Sequence, residues 1–484
     1  MKFKLPGSHR TAEAMRAHVE ELGLDITLDD ELEGGRGPLG QPIEWAPGRV
    51  CANRFAVHPM EGWDGTEDGR PSELTRRRWR RFGRSGAALV WGGEAFAVRA
   101  DGRANPNQLY LADGPDAEAR AAEDLAALRE EVLEGRREIG VAEDIGPIGL
   151  QLTHSGRWSR PDGPPAPRPA TRDPLLDARA GGDDPLLTDD ELRAIADRYV
   201  VAARAAAAAG FDFVDVKACH GYLLHELLGA TGRPGPYGGA SLEDRARLFT
   251  EIVRAIQIEI PGMEIGVRVS LHDVVPHRPG PEGRRGEPAA DRWDHGFGVE
   301  HDAPTRFEDE GPDAFLRHLA ELGIRMVNVT LGSPYYNPHL QRPAAYPPSD
   351  GYQPFADPLV FVERHLEVVR RAKAAFPDMI FVGTGYTYLM DWLPHVAQAE
   401  VRRGGVDLVG LGRMVLSYPE MPRDVLEERP LARKLVCRTF SDCTTAPRNG
   451  MVSGCFPLDP LYRERSERDE LEGIKKTMRE EARS

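Results

Sequence analysis

The sequence predicts an α/β fold, one eight-stranded (β/α)8 TIM barrel with long loops and a C-terminal extension. Three observations predict it. Eight short apolar runs recur along the 484 residues. Longer helical patterns alternate with them, which gives a parallel sheet with helical crossovers. Pro/Gly-rich segments follow the strand runs, where a barrel carries its largest loops. A count of seven or nine would fit an open doubly wound sheet instead, and that alternative stays open.

The strands are expected at 50–57, 87–91, 148–153, 211–217, 264–270, 325–330, 379–383 and 406–411. They are mostly continuous and apolar, as strands covered on both faces should be. Helices are expected at 116–140, 188–209, 241–258, 311–322, 357–375 and 389–403. The second opens Thr188-Asp-Asp-Glu191, in which Thr188 and Glu191 can satisfy free amides reciprocally. Its Ala-rich body stops at Gly210. The loop segments 100–114, 156–187, 271–304 and 332–358 would all emerge at the carboxyl end of the sheet, the face on which barrels build sites. Those at 156–187 and 271–304 are long enough for lids or partner contacts, with disordered decoration as the alternative. The barrel is expected over 1–434 and the extension, with three cysteines and a charged tail, over 435–484.

Composition narrows the class. Hydrophobic content of 40% and charged content of 29% fit a soluble globular chain. Net charge is −15, so no nucleic-acid partner is expected. The basic run Arg76–Arg81 reads as a solvated helix face. No apolar run approaches the ~18 residues of a membrane span, and residues 1–10 lack a signal-peptide apolar region. Five cysteines, Cys51, Cys219, Cys437, Cys443 and Cys455, are few and odd in number, which fits a reducing cytoplasm. The tail and long loops are available for contacts with a second copy, as in a homo-oligomer.

Four clusters carry chemistry. Gly383-Thr384-Gly385 and Gly410-Leu411-Gly412-Arg413 close the last two expected strands, where glycines admit backbone amides to a phosphate and an arginine clamps it. Lys217-Ala-Cys-His220-Gly-Tyr222 places a cation, an imidazole and a phenol at one strand end. Gln151-Leu-Thr-His154-Ser-Gly-Arg157 closes another. Arg268 lies inside an apolar strand, a costly place unless an anion or an acid on a neighbouring strand meets it.

Together Asn53-Arg54 through Pro59-Met60, the Gln151–Arg157 cluster, His220-Gly-Tyr-Leu-Leu, Tyr237-Gly-Gly-Ala-Ser-Leu-Glu-Asp-Arg245 and Gly412-Arg413 resemble the old yellow enzyme family. The length and the cysteine-bearing tail resemble its branch containing trimethylamine dehydrogenase and dienoyl-CoA reductase. The resemblance implies a β/α barrel, flavin mononucleotide (FMN), NAD(P)H as reductant and hydride transfer through the flavin to a small-molecule substrate. By matching position it implies Pro59, Met60 and Glu61 lining the flavin, largely through backbone, and Ala95 beside its ring. Gln151 would hold the pyrimidine edge, Arg268 would lie near N1 and O2, and Gly385, Tyr386, Gly412 and Arg413 would hold the phosphate. Tyr222 matches the proton donor. Lys217 and His220 stand where the family carries its carbonyl-gripping pair.

Three departures shape these expectations. Lys217 replaces a neutral group; it either favours an anionic substrate or pairs with an acid, and both readings stay open. Met60 supplies no flavin-linking cysteine, so FMN is expected to be non-covalent. Phe440 stands where the branch has the second of four cluster cysteines, leaving Cys437, Cys443 and Cys455. A 4Fe–4S cluster needs four thiolates, so neither cluster nor other metal is expected. An ene-reductase is therefore the leading expectation. An amine dehydrogenase or demethylase passing electrons to an external acceptor is the alternative, and a repurposed barrel acting as a binding protein is the alternative of another class.

Overall fold

The computed structural model describes residues 3–180, 182, 184–281 and 285–481. The loops 156–187 and 271–304 and the charged tail each include positions outside the described residues. Nine strands form one curled sheet: β1 (Phe55–Val57), β2 (Leu89–Val90), β3 (Ala95–Ala97), β4 (Gly149–Thr153), β5 (Phe213–Val216), β6 (Glu264–His272), β7 (Met326–Leu331), β8 (Ile380–Gly383) and β9 (Leu408–Leu411). Their order is β2-β1-β9-β8-β7-β6-β5-β4-β3, and every pairing is parallel.

The expected eight strands become nine because the second run is interrupted. After β2 the chain turns through Gly92 and Gly93 and resumes as β3, which the sequence pattern did not mark. Gly93 has φ 51°, and a Cβ there would sit 2.5 Å from the Trp79 ring, so only glycine allows the turn. Val90 also bridges Ile148 in parallel. Both ends of the curled sheet thus approach the segment around β4. The run expected at 50–57 divides too. Arg49–Cys51 pairs antiparallel with Ile43–Ala46 outside the main sheet. Asn53 makes the break: its Oδ1 accepts from the amides of Phe55 and Ala88, each at 3.1 Å, and its Nδ2 donates to Gly86 O at 2.9 Å.

The helices follow the expected periodicity with local corrections. Asp189–Ala208 starts with the reciprocal Thr188–Glu191 cap and ends before Gly210, at φ 82°. The helix expected at 241–258 is two pieces, Leu242–Arg245 and Arg247–Glu259. The one expected at 389–403 begins with a 3-10 turn, Tyr386–Trp392, before Leu393–Arg402 with Pro394 in its first turn. The long loops are built rather than decorative: 156–187 contains the helix Pro174–Ala180, and 271–304 contains the hairpin His277–Pro279 with Gly286–Pro288.

The basic run on helix Glu73–Gly83 is not a solvated face. Arg78 is buried and donates to Asp64 at 2.8 and 2.9 Å and to Glu94 at 2.6 Å. Arg77 forks onto Asp459 at 2.8 and 2.9 Å. One turn of helix therefore ties the loop after β1 to the C-terminal segment. That segment has its own small core of Ala446, Met451, Phe456, Tyr462 and Leu471. It is stitched to the loop after β7 by Arg342 on Thr444, Ser441 on Tyr346 O at 2.6 Å, and Arg448 on Asp350.

Candidate functional site

At the carboxyl end of the sheet, Pro59, Glu61, Gln151, Lys217, His220, Tyr222 and Arg268 line one cavity of about 190 Å³. Met60, Glu61, His220 and Arg413 line an adjoining one of about 240 Å³. The side chains come from strand ends distant in sequence, brought together by the parallel sheet. The C-terminal segment contributes Cys443, Thr444 and Ser453 to both cavities.

Asp215 organises the inner wall. It is fully buried in β5. Its Oδ2 accepts from Gln151 Nε2 at 2.6 Å and Trp91 Nε1 at 2.7 Å, and its Oδ1 accepts the Arg268 amide at 2.7 Å. Burial pushes its carboxyl above the ordinary value, against these hydrogen bonds. Gln151 is thereby fixed with one of its two amide N–H donors occupied. Arg268 makes no side-chain ion pair with this neighbouring-strand acid. Its Nη1 donates to Pro59 O at 3.2 Å, and its buried Nε has no partner among the described residues. Burial lowers its pKa.

The outer wall is aromatic and titratable. The Tyr222 hydroxyl donates to Glu61 Oε2 at 2.6 Å and shares a hydrogen bond with the Tyr335 hydroxyl at 2.8 Å. Burial first, then Glu61 and Tyr335, hold the Tyr222 phenol well above its usual range. Glu61 was expected to line the flavin largely through its backbone; its carboxylate, a role the sequence did not suggest, holds Tyr222. Lys217 Nζ lies 3.7 Å from the Tyr222 ring centroid, a cation–π contact. Among the described residues it has no ion pair, and burial lowers its pKa. His220 adopts φ 66°, uncommon for a residue with a side chain. Ser270 Oγ accepts from its amide at 3.0 Å, and its carbonyl accepts from Ser333 Oγ at 2.7 Å.

The phosphate candidates are placed less evenly. Gly385 has φ 97°, with the His365 ring 3.1 Å from any Cβ, whereas a Cβ on Gly412 would meet open space. Arg413 donates to Pro343 O at 2.9 Å and keeps a buried Nη1 without a partner among the described residues. Arg342, missed in the sequence, lies beside it with a buried Nη2 that has no partner among the described residues; burial and the neighbouring arginines bring its pKa down to about 9. The Tyr386 ring packs in the core against Gly383, leaving its backbone for other work. Ala95 is buried in β3, its carbonyl taken by Gln108 at 2.6 Å. Guanidinium nitrogens on Arg268, Arg342 and Arg413 without partners among the described residues, with space at Gly412, fit a planar cofactor with an anionic end.

A profile of the NADH:flavin oxidoreductase / NADH oxidase family matches residues 38–280. The chain belongs to this family. It is 27% identical over 395 residues to an NADPH dehydrogenase of Geobacillus sp. (strain WCH70), covering 79% of this chain and 92% of that one. It is 30% identical over 307 residues to a putative 12-oxophytodienoate reductase 11 of Oryza sativa subsp. japonica, covering 60% and 68%. The solved 2-naphthoyl-CoA reductase complex shares the fold, with TM-score 0.65 and 18% identity over 90% of this chain. The chain spans 58% of that protein. This family member is thus an FMN-dependent oxidoreductase, with a barrel-like parallel sheet.

Burial raises the thiols of Cys437, Cys443 and Cys455. Among the described residues no group of three or more His, Cys, Asp or Glu is placed to hold a metal ion. No helix is long and apolar enough to cross a membrane among the described residues. Asp215 and Tyr335 also escaped the sequence reading. A carboxylate inside the apolar run Phe213–Val216 was the available signal for Asp215; nothing local marks Tyr335.

Proposed function

We propose that this oxidoreductase uses NAD(P)H to reduce an activated C=C bond, with Tyr222 as proton donor. The observation that carries this reading is the Tyr222 phenol. It lines the cavity, is kept protonated by burial, and is aimed by hydrogen bonds to Glu61 and Tyr335. A neutral, positioned phenol is a general acid. FMN, when bound, supplies the hydride chemistry. Gln151 and Arg268 would hold its ring edge, Pro59, Met60, Glu61 and Ala95 would line it, and Gly385, Tyr386, Gly412 and Arg413 would hold its phosphate.

Lys217 and His220 would draw electron density from the activating carbonyl or carboxylate. Among the described residues Lys217 has no acid paired to it, which supports an anionic substrate. Tyr222 would give its proton to the carbon next to the activating group. The Tyr335 hydroxyl, 2.8 Å away, is placed to restore it, because a tyrosinate beside Glu61 is disfavoured. Met60 offers the flavin no thiol to link to, which supports non-covalent FMN, and Phe440, 38% exposed beside Tyr346, brings no thiolate to the three remaining cysteines, which supports chemistry without a 4Fe–4S relay. We read the curled sheet as a closed (β/α)8 barrel over 1–434 with an extension from 435, and the protein as cytoplasmic.

The test is Tyr222→Phe. Enone reduction falls on the order of 10²-fold or more, while anaerobic bleaching of the flavin by NAD(P)H keeps its rate. Unchanged enone turnover refutes the role.

A further inference from the structure

The geometry points to a second binding site, resting on the reading above: a groove for an anionic substrate tail, a phosphate- or carboxylate-bearing group remote from the reacting bond. The groove, of about 410 Å³, is walled by Trp158, Arg160, Arg179, Arg278, Tyr335 and Arg448. It shares Pro334, Tyr335 and Arg448 with the cavity that holds Tyr222. One extended molecule can therefore occupy both.

The groove is cationic in a chain of net charge −15. Asp350 is the carboxylate among its described lining residues, and it pairs with Arg448. Arg278 pairs with Glu287 at 3.0 Å. Arg160 and Arg179 have no carboxylate partner among the described residues. Arg179 Nη2 donates to His277 O at 2.5 Å, and Arg160 Nε is buried without a partner. Two guanidinium groups left unneutralised at one cleft raise the local potential and attract an anion, which they can grip in forked fashion. Trp158 and Tyr335 stack at 4.6 Å and 5°, forming a flat wall. Tyr335 belongs to both sites: its ring walls the groove and its hydroxyl meets Tyr222. The tail would lie along the stacked rings while the reacting bond reaches Tyr222.

The experiment uses the holoenzyme and an Arg160→Gln/Arg179→Gln double variant. Two enoyl thioesters with the same acyl group are compared, one on coenzyme A and one on neutral N-acetylcysteamine. NADH is compared with NADPH in flavin reduction, because a nicotinamide phosphate carries the same chemistry. The expected result is a rise of about tenfold or more in KM for the coenzyme A thioester, with the neutral thioester and both nicotinamides changed less than about twofold. Equal effects on the two thioesters, or none, overturn the proposal. So does a loss for NADPH alone or for both nicotinamides, which share a diphosphate; either would assign the groove to the reductant. If wild type reduces neither these thioesters nor an enone, the ene-reductase reading fails. Whenever the thioesters are not reduced, the groove is decided by calorimetric titration with tripolyphosphate: binding lost in the double variant supports it, and no binding by wild type overturns it.

Discussion

Arg78→Ala should be among the most damaging single substitutions in this chain. Arg78 is 7% exposed and its carboxylate partners, Asp64 and Glu94, have fully buried side chains. It also donates to the carbonyls of Met60 at 3.3 Å and Gly93 at 3.2 Å. Removing one partner of a buried pair costs about 3–5 kcal/mol, because the other charge stays buried. Here two carboxylates are stranded together, and two carbonyls lose a donor at about 1 kcal/mol each. The sum, about 5–7 kcal/mol, rivals the ~5–15 kcal/mol stability of an ordinary domain. Burial already holds Glu94 above its ordinary value, so the variant should take up a proton there and recover part of the loss as pH falls. The assay is denaturant unfolding at pH 7 and pH 5.5, with flavin retention read on the same samples. Arg78→Lys, which keeps the charge but not the planar fork, should fall between. A loss below about 1 kcal/mol, or one independent of pH, would refute the account of this network.

Two more substitutions probe the site and its surroundings. Arg413→Met removes a cation with no acidic partner among the described residues; apoprotein melting temperature should hold or rise while FMN affinity falls at least about tenfold, and a parallel fall in both would mark Arg413 as structural. Asp273, hydrogen-bonded to Tyr336 at 3.0 Å, is pushed by burial from 3.8 up to about 7. The folded state therefore binds this proton more tightly, and its contribution is complete below about pH 4 and lost as pH rises through 7. At about 1.4 kcal/mol per tenfold change in proton affinity, Asp273→Asn should gain up to about 4 kcal/mol relative to wild type between pH 4 and pH 8; a constant difference in unfolding free energy would exclude the linkage.

Much of the architecture was legible because parallel strands covered on both faces announce themselves as apolar runs. β3 was not. Its Ala95-Phe96-Ala97 is only three residues long and follows directly on Gly92-Gly93, so it is too short a run to stand out, and its pairing with Gln151–Thr153 is what makes it a strand. Arg268 and Gly412-Arg413 stood out because a cation in an apolar run needs a partner. The Glu61–Tyr222 bond did not, since it joins residues 161 positions apart and neither neighbourhood encodes the meeting. Arg78 was hidden by composition: surrounded by arginines of similar appearance, it differs only in the face of the helix on which it lies.

The small separate core beneath the C-terminal segment has a consequence for ligand traffic. Ala446, Met451, Phe456, Tyr462 and Leu471 pack with one another apart from the main core, so this wall of the pocket holds its own shape. Charged contacts help fasten it to the barrel, Arg77 on Asp459, 382 residues away, and Arg448 on Asp350, whose side chain is 53% exposed, beside neutral hydrogen bonds such as Ser441 to Tyr346 O. Such a wall can lift as a unit without unravelling the strands beneath. Entry and exit should then quicken with ionic strength, the exposed fastening weakening first.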